Sequence, residues 1–328
     1  MKPISIPILI ISFLLLVSIG YGQPSGGQPG PHHPQMPMGG PYMHKILSAS
    51  STDGLTWTCD SGIRLEHASV PCAIADGNRI ILYYVDADRG QGKPESIGCS
   101  VSTDGIHFTK QPFEIKNLPT QKAVDPCVLK DSSGKFRLYY FASNGGGDPA
   151  SQSGKHEIHL AMSDDGIHFK ESGVAFSYQN LVDPDVFLYK GTWFMYVFGR
   201  GNTIIATSKD GLKFTYKQEI ALQGYGTVAP ILLKDGRLRL YAFEQRKHTG
   251  NAFVSFISTD GLNWTRENGI RLQASDTEQI TDPYVIKWKN GYKMFYKLEP
   301  RNPGGIPPHG TPHGEHPHGP KPPPGDSH

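Results

Sequence analysis

From residue 43 to residue 300 the chain consists of short apolar runs that alternate with polar positions and end in turns containing Gly, Asn or Asp. Runs such as Leu82-Tyr83-Tyr84, Leu138-Tyr139-Tyr140 and Leu240-Tyr241 sit in segments with the length and aromatic content of β-strands. With 38 Gly and 27 Pro in 328 residues, breakers are too frequent for a helical chain. The pattern predicts an all-β protein.

The runs are organised by a repeat. One half-module reads Ser-x-Asp-Gly-x-x-Trp/Phe and occurs at Ser51 with Trp57, Ser102 with Phe108, Ser163 with Phe169, Ser208 with Phe214 and Ser258 with Trp264. Successive copies lie 45 to 61 residues apart, the length of a propeller blade. Each copy predicts a hairpin, because Gly supplies the positive φ of a tight turn and the Ser and Asp side chains can bond nearby backbone amides. A feature present five times is expected to serve the scaffold, so these aspartates are assigned to structure. The pattern resembles the Asp-box of sialidase propellers with one residue fewer.

The other half-module starts at a Pro and ends in an aromatic strand: Val70-Pro71-Cys72, Asp125-Pro126-Cys127, Asp183-Pro184-Asp185, Ala229-Pro230-Ile231 and Asp282-Pro283-Tyr284. A full module is then four short strands. The folded segment begins with an unpaired half (residues 45 to 58) and ends with the complementary half (residues 282 to 298). Pairing these two orphans completes a fifth sheet and closes a ring, which removes exposed sheet edges. The expectation is one five-bladed β-propeller over residues 43–300, with four antiparallel strands per blade. A β-sandwich is the alternative, but nothing in a sandwich demands a repeat of this length.

Charge and composition narrow the function. Lys plus Arg number 32 against 30 Asp plus Glu, so no basic surplus draws in nucleic acid or anionic lipid. Residues 1–22 have a positive start, an uncharged run from Ile4 to Ile19 and small residues at the end, the pattern of a secretory signal cut after Gly22. That run is 16 residues, short of the ~20 that a membrane span needs, so a secreted or periplasmic protein without a remaining span is expected. Residues 23–42 and 301–328 are Gly, Pro and His with little to bury, and are expected to be disordered tails. Cys59, Cys72, Cys99 and Cys127 could form disulfides in three ways or stay as buried thiols, and no C-x-x-C pair suggests zinc. No cofactor is expected, nor any oligomer beyond a monomer. His309, His313, His316 and His318 could give the tail a weak metal site, although no spacing defines a geometry.

In a propeller the first strand of each blade lines the central channel, so the residues before the five prolines, Val70, Asp125, Asp183, Ala229 and Asp282, should approach one mouth. Pro restricts its predecessor, which is expected to be extended, so each Asp is presented in a repeated pose. Asp185 lies on the same strand face as Asp183. Converging carboxylates push one pKa upward and so separate an acid from a base, the division of labour that glycoside hydrolysis uses. In the inverting version the two carboxyls stand ~6.5 to 9.5 Å apart. The structural alternative is that each Asp caps local backbone.

These strand starts, the Gly-aromatic strand pairs and the hairpins resemble the five-bladed propellers of glycoside hydrolase family 43 and its relatives in families 32, 62 and 68. The likeness covers roughly residues 43 to 298. It implies an Asp base, a second Asp that tunes and orients, and a Glu acid, each opening the inner strand of consecutive blades. On that resemblance Asp125 stands at the second position, Asp183 where the Glu belongs and Val70 where the base belongs. Asp183 is one methylene shorter than Glu. Glu244, after the Tyr241-Ala242-Phe243 strand, is the further acid candidate, with Glu66 and Glu278 as lesser ones. Arg200 and Arg246 could hold sugar hydroxyls or a carboxylate. Tyr139, Tyr140, Tyr196, Trp193 and Trp288 could stack sugars, though their alternation marks most of them as blade core. Asn263-Trp264-Thr265 matches a glycosylation sequon inside a scaffold hairpin.

The candidate catalytic set is therefore Asp125, Asp183, Asp282 and Glu244, with Asp185, Arg200 and Arg246 binding a polysaccharide or oligosaccharide. A non-catalytic glycan-binding propeller and an exported metal-binding protein acting through its His-rich tails are the other two readings.

Overall fold

The computed structural model describes residues 40–300, apart from 89–93, 144–154, 200–201, 221, 223, 245–250 and 276. The leader, the His-rich tail with its four candidate ligands, Arg200 and Arg246 lie outside the described residues. Beyond a single turn of 3-10 helix at Pro41–Met43, the regular elements described are all strands, and no described helix is long and apolar enough to cross a membrane.

Five sheets follow one another along the chain, antiparallel except where Glu114–Lys116 adds parallel to the outer strand of the second. Their innermost strands are Ala68–Asp76, Lys122–Lys130, Leu181–Tyr189, Tyr225–Leu232 and Glu278–Trp288, which open blades 1 to 5. Each is followed by a second strand, namely Arg79–Asp86, Phe136–Ser143, Thr192–Gly199, Leu238–Glu244 and Gly291–Pro300. In blades 1 to 4 the third and fourth strands flank the Ser-x-Asp-Gly turn, as the repeat predicts. Blade 5 takes its third strand from the other end of the chain. Lys45–Ser51 pairs antiparallel with Gly291–Pro300, in register from Lys45 with Leu298 to Ser51 with Tyr292. The ring thus closes through the two orphan halves.

The blades pack face to face through five apolar clusters, each joining two neighbours. Val128, Phe136 and Phe169 of blade 2 meet Ile81 and Tyr83 of blade 1. Leu160 and Phe176 meet Met195 and Phe214, and Tyr196 and Ile205 meet Leu240 and Phe256. Phe253 and Tyr241 meet Met294 and Tyr296, and Phe295 and Ile286 meet Ile80 and Leu82. Each large apolar side chain so buried contributes roughly 1.5–3 kcal/mol.

A second device locks the blades in order. The hydroxyl of Tyr83 donates to Gly166 O at 2.8 Å, Tyr139 to Gly211 O at 2.6 Å and Tyr241 to Gly54 O at 2.7 Å, and Tyr196 makes the same bond to Gly261 O. A tyrosine of one blade therefore grips the Asp-Gly turn of the next. Blade 5 has Phe295 at this position, packed edge-on against Phe108 of blade 1. Inside each turn the Ser Oγ accepts the Gly N–H, as from Gly54 to Ser51 at 2.8 Å, and the Asp carboxylate accepts amides beyond it. Backbone amides, those of Thr56 and Leu55 first, hold the Asp53 carboxyl down to about 2. The assignment of these aspartates to structure is borne out.

The four cysteines are free thiols, Cys59 exposed and Cys72, Cys99 and Cys127 buried.

Candidate functional site

Every inner strand breaks register once, close to its start. The irregularities fall between Ser69 and Cys72, opposite Tyr139 to Phe141 for the Lys122–Lys130 strand, between Val182 and Asp185, between Tyr225 and Val228, and between Thr281 and Tyr284. In four blades the Pro occupies this bulge, where its missing N–H costs no ladder bond. The residue before it is not extended, as expected from the Pro alone. Val70, Asp125, Asp183 and Asp282 have φ of 45, 52, 51 and 50°, in the left-handed region. The bulge overrides the steric preference at that site. Such conformations cost about 1–3 kcal/mol each and gather at functional sites; Asp tolerates them better than the β-branched Val70.

The clasping tyrosines give a common ruler. Tyr83, Tyr139, Tyr196 and Tyr241 face Cys72, Cys127, Asp185 and Ala229 across the inner ladder, and Phe295 faces Tyr284. Counting back two residues gives the mouth ring: Val70, Asp125, Asp183, Thr227 and Asp282. Blade 4 thus contributes Thr227. The expectation that Ala229 stands at the mouth is corrected, because Pro230 lies two residues deeper than the other prolines and outside the bulge. Thr227 confirms its position by donating its hydroxyl to Asp282 Oδ1 at 2.7 Å, across the join between blades 4 and 5.

One mouth carboxylate, that of Asp282, is tied to a buried cation. Lys297 is 2% exposed and its Nζ lies 3.0 Å from Asp282 Oδ2 and 3.9 Å from Glu299 Oε2. Burial alone would lower its pKa, but the charges of Asp282 and Glu299 outweigh burial and raise it, with Asp183 contributing. Lys297 is therefore a fixed positive charge against Asp282 at the mouth. Glu299 continues the network to His44 Nε2 at 2.9 Å, and His44 Nδ1 contacts Ser69 Oγ at 3.0 Å. Burial would raise the Glu299 carboxyl; Lys297 and His44 reverse that and lower it. Burial lowers His44 below 6.5 against the pull of Glu299, so it is neutral at pH 7.

Below the mouth lies a second tier: Cys72, Cys127, Asp185, Ala229 and Tyr284. Cys72 Sγ accepts the Val128 N–H at 3.0 Å, and Cys127 Sγ accepts the Val186 N–H at 3.1 Å, each reaching the inner strand of the next blade. Asp185 holds the same register position in blade 3, opposite Tyr196, and is buried.

The remaining acids occupy three different places. Glu244 ends its strand opposite Tyr225 and is half-buried beside the blade 4 bulge. Glu66 is on the surface, 3.6 Å from Lys45. Glu278 accepts the Ser275 hydroxyl at 2.9 Å. Tyr139, Tyr140 and Tyr196 are fully buried between strands and Trp193 is core, so none is placed to stack a sugar. Trp288 lines a pocket of about 400 Å³ with Lys287 and Lys289 on the face of the turns, opposite the aspartates. Lys297 and Thr227 escaped the sequence reading. Lys297 alternates with Lys293 and Glu299, as an exposed strand face would, and only its register opposite Thr281, next to Asp282, reveals it.

The fold and site define a five-bladed propeller whose inner strands deliver three aspartates to one channel mouth. No known protein family and no curated protein matches the chain by sequence. Solved structures do match in fold, and they include family 43 and related glycoside hydrolase propellers. An α-L-arabinofuranosidase from Clostridium thermocellum is 18% identical with a TM-score of 0.55, over 70% of this chain and 81% of that one. A protein of unknown function from Dyadobacter fermentans is 18% identical at a TM-score of 0.54, over 78% and 84%. A putative glycoside hydrolase from Parabacteroides distasonis is 16% identical at 0.52, over 77% and 92%. At these identities the likeness is one of fold.

Proposed function

We propose that the protein is a glycoside hydrolase acting at the mouth ringed by Val70, Asp125, Asp183, Thr227 and Asp282. The observation that carries this reading is the placement of Asp125, Asp183 and Asp282 at equivalent strained bulges of three inner strands. Five-fold repetition of a bulge serves the scaffold, but a carboxylate in three of the five copies concentrates charge where a ligand enters the channel. The fold likeness to an arabinofuranosidase and a putative glycoside hydrolase supports the choice of a glycan as that ligand.

In this reading Asp125 and Asp183 activate water and orient the sugar. Asp282, held by Lys297, Thr227 and Thr281, is positioned to accept sugar hydroxyls as a fixed carboxylate. An arabinose-, xylose- or galactose-containing polysaccharide is the substrate class proposed, met outside the cytoplasm after removal of residues 1–22. Screening the mature protein against aryl glycosides and polysaccharides, beside Asp125→Asn, tests the reading. Turnover by the parent chain that falls by about 100-fold or more in Asp125→Asn is expected; equal rates in the two proteins would end it.

A second reading, glycan binding without turnover, is favoured by Val70 and Thr227, which put no acid at two of the five ring positions. Retention of an oligosaccharide with no product release would select it.

A further inference from the structure

Glycosidic bond cleavage needs one carboxyl that keeps its proton near one that has lost it. In the mouth ring Asp282 is the partner of a lysine, and none of the five positions is a Glu. Asp185 has different surroundings. It is 8% exposed, stands in the second tier two residues below Asp183, and has no hydrogen bond or ion pair to any described residue.

The sequence explains why it has none. At the equivalent sites of blades 1 and 2, Cys72 and Cys127 accept the N–H of Val128 and Val186 in the next blade. For Asp185 the corresponding residue of the next blade is Pro230, which has no N–H to give. The displaced proline of blade 4, which left Thr227 at the mouth, thus also removes the amide that would have stabilised an ionised Asp185. Ala229 beside Pro230 brings no polar group either. A buried carboxyl without donors is costly as an anion and far less so as a neutral acid.

We propose that Asp185 is the proton donor of the channel site, an assignment that rests on the hydrolase reading above. The Asp185 O–H protonates the bridging oxygen as the bond from that oxygen to the sugar carbon breaks. A water attacks the same carbon and passes its proton to an ionised mouth aspartate. The products are two free hydroxyl compounds, and solvent returns a proton to Asp185 and removes one from the base. Burial above all, with Cys72 nearby adding to it, holds the Asp185 carboxyl well above the usual carboxylate range, consistent with a group that still carries its proton at neutral pH.

The test is Asp185→Asn, which keeps the shape and cannot supply an acidic proton. Two readings are taken. Hydrolysis of an unactivated oligosaccharide is expected to fall by about 10²–10⁴-fold, while a dinitrophenyl glycoside, whose leaving group needs no proton, stays within a few-fold of the parent. The fall in rate at high pH is lost with it. Separately, infrared difference spectra at pH 7 are expected to show a neutral carboxyl band in the parent that disappears in Asp185→Asn. Absence of any turnover in the parent chain fails the hydrolase reading and takes the donor role with it. Parent turnover with equal losses on both substrates, unchanged rates in the variant, or an ionised Asp185 at pH 7 overturns the donor assignment alone.

Discussion

Lys297→Met isolates the electrostatic design of the mouth. Methionine matches the length of the lysine stem and can fill the same space, so the change removes chiefly the charge. The ammonium stands 3.0 Å from Asp282 and 3.9 Å from Glu299, with all three side chains less than one-tenth exposed. Deleting one partner of a buried ion pair leaves the other charged and unsolvated, at a cost of about 3–5 kcal/mol. Native domains have ~5–15 kcal/mol in total, so the variant should fold with a clearly lowered urea midpoint. Removing both charges in Lys297→Met/Asp282→Asn should recover much of the loss. The pH dependence should change as well. In the parent the raised Lys297 pKa gives stability that is complete below about 10.5 and is lost as pH rises through the folded value. In Lys297→Met the stranded carboxylates would hold protons more tightly folded than unfolded, so stability should rise as pH falls toward 5. Urea melts of the three proteins between pH 5 and 8 measure this. A loss below about 1 kcal/mol for Lys297→Met, or a double variant no better than the single, would refute the reasoning.

Three further outcomes follow from the same structure. Tyr139→Phe should cost about 1–2 kcal/mol in chemical denaturation, because it leaves Gly211 O without its buried donor; Phe295, already without a hydroxyl, should lose nothing comparable when the Phe108 contact alone is trimmed by Phe108→Leu. His44 has a folded pKa below its ordinary 6.5, so stability is full above that value and should fall as pH drops through and below 6.5, with His44→Gln flattening that slope in thermal melts. A thiol reagent should modify one cysteine, Cys59, in the native protein and all four after unfolding, with no change on adding a reductant.

Much of the architecture is legible in the chain. The five Ser-x-Asp-Gly turns announce themselves because a tight turn needs Gly and Asp in fixed order, and the two orphan halves can be satisfied only by pairing with each other. Asp125, Asp183 and Asp282 are legible as a set because Pro marks the bulge beside each of them. The same marker misleads in blade 4, where Ala229-Pro230 sits two residues deeper and the mouth position belongs to Thr227. The left-handed φ of the mouth aspartates is invisible in sequence, since it belongs to the bulge and runs against the local preference before Pro. Lys297 is hidden for another reason: a lysine alternating along a strand near the chain end looks solvated, and only the closure of the ring buries it. Asp185 was visible beside Asp183, but its isolation depends on Pro230 of the neighbouring blade.

Comparing turnover by Asp183→Asn and Asp210→Asn with that of the parent tests the central assignment most directly. Asp183 lies at the strand-start mouth, whereas Asp210 belongs to a turn on the opposite face, where its Oδ1 accepts the Ser208 hydroxyl at 3.0 Å and the Leu212 amide at 2.8 Å. The predicted result is a loss of about 100-fold or more for Asp183→Asn and an unchanged rate for Asp210→Asn. Equal rates in all three proteins, or a loss confined to Asp210→Asn, would contradict it.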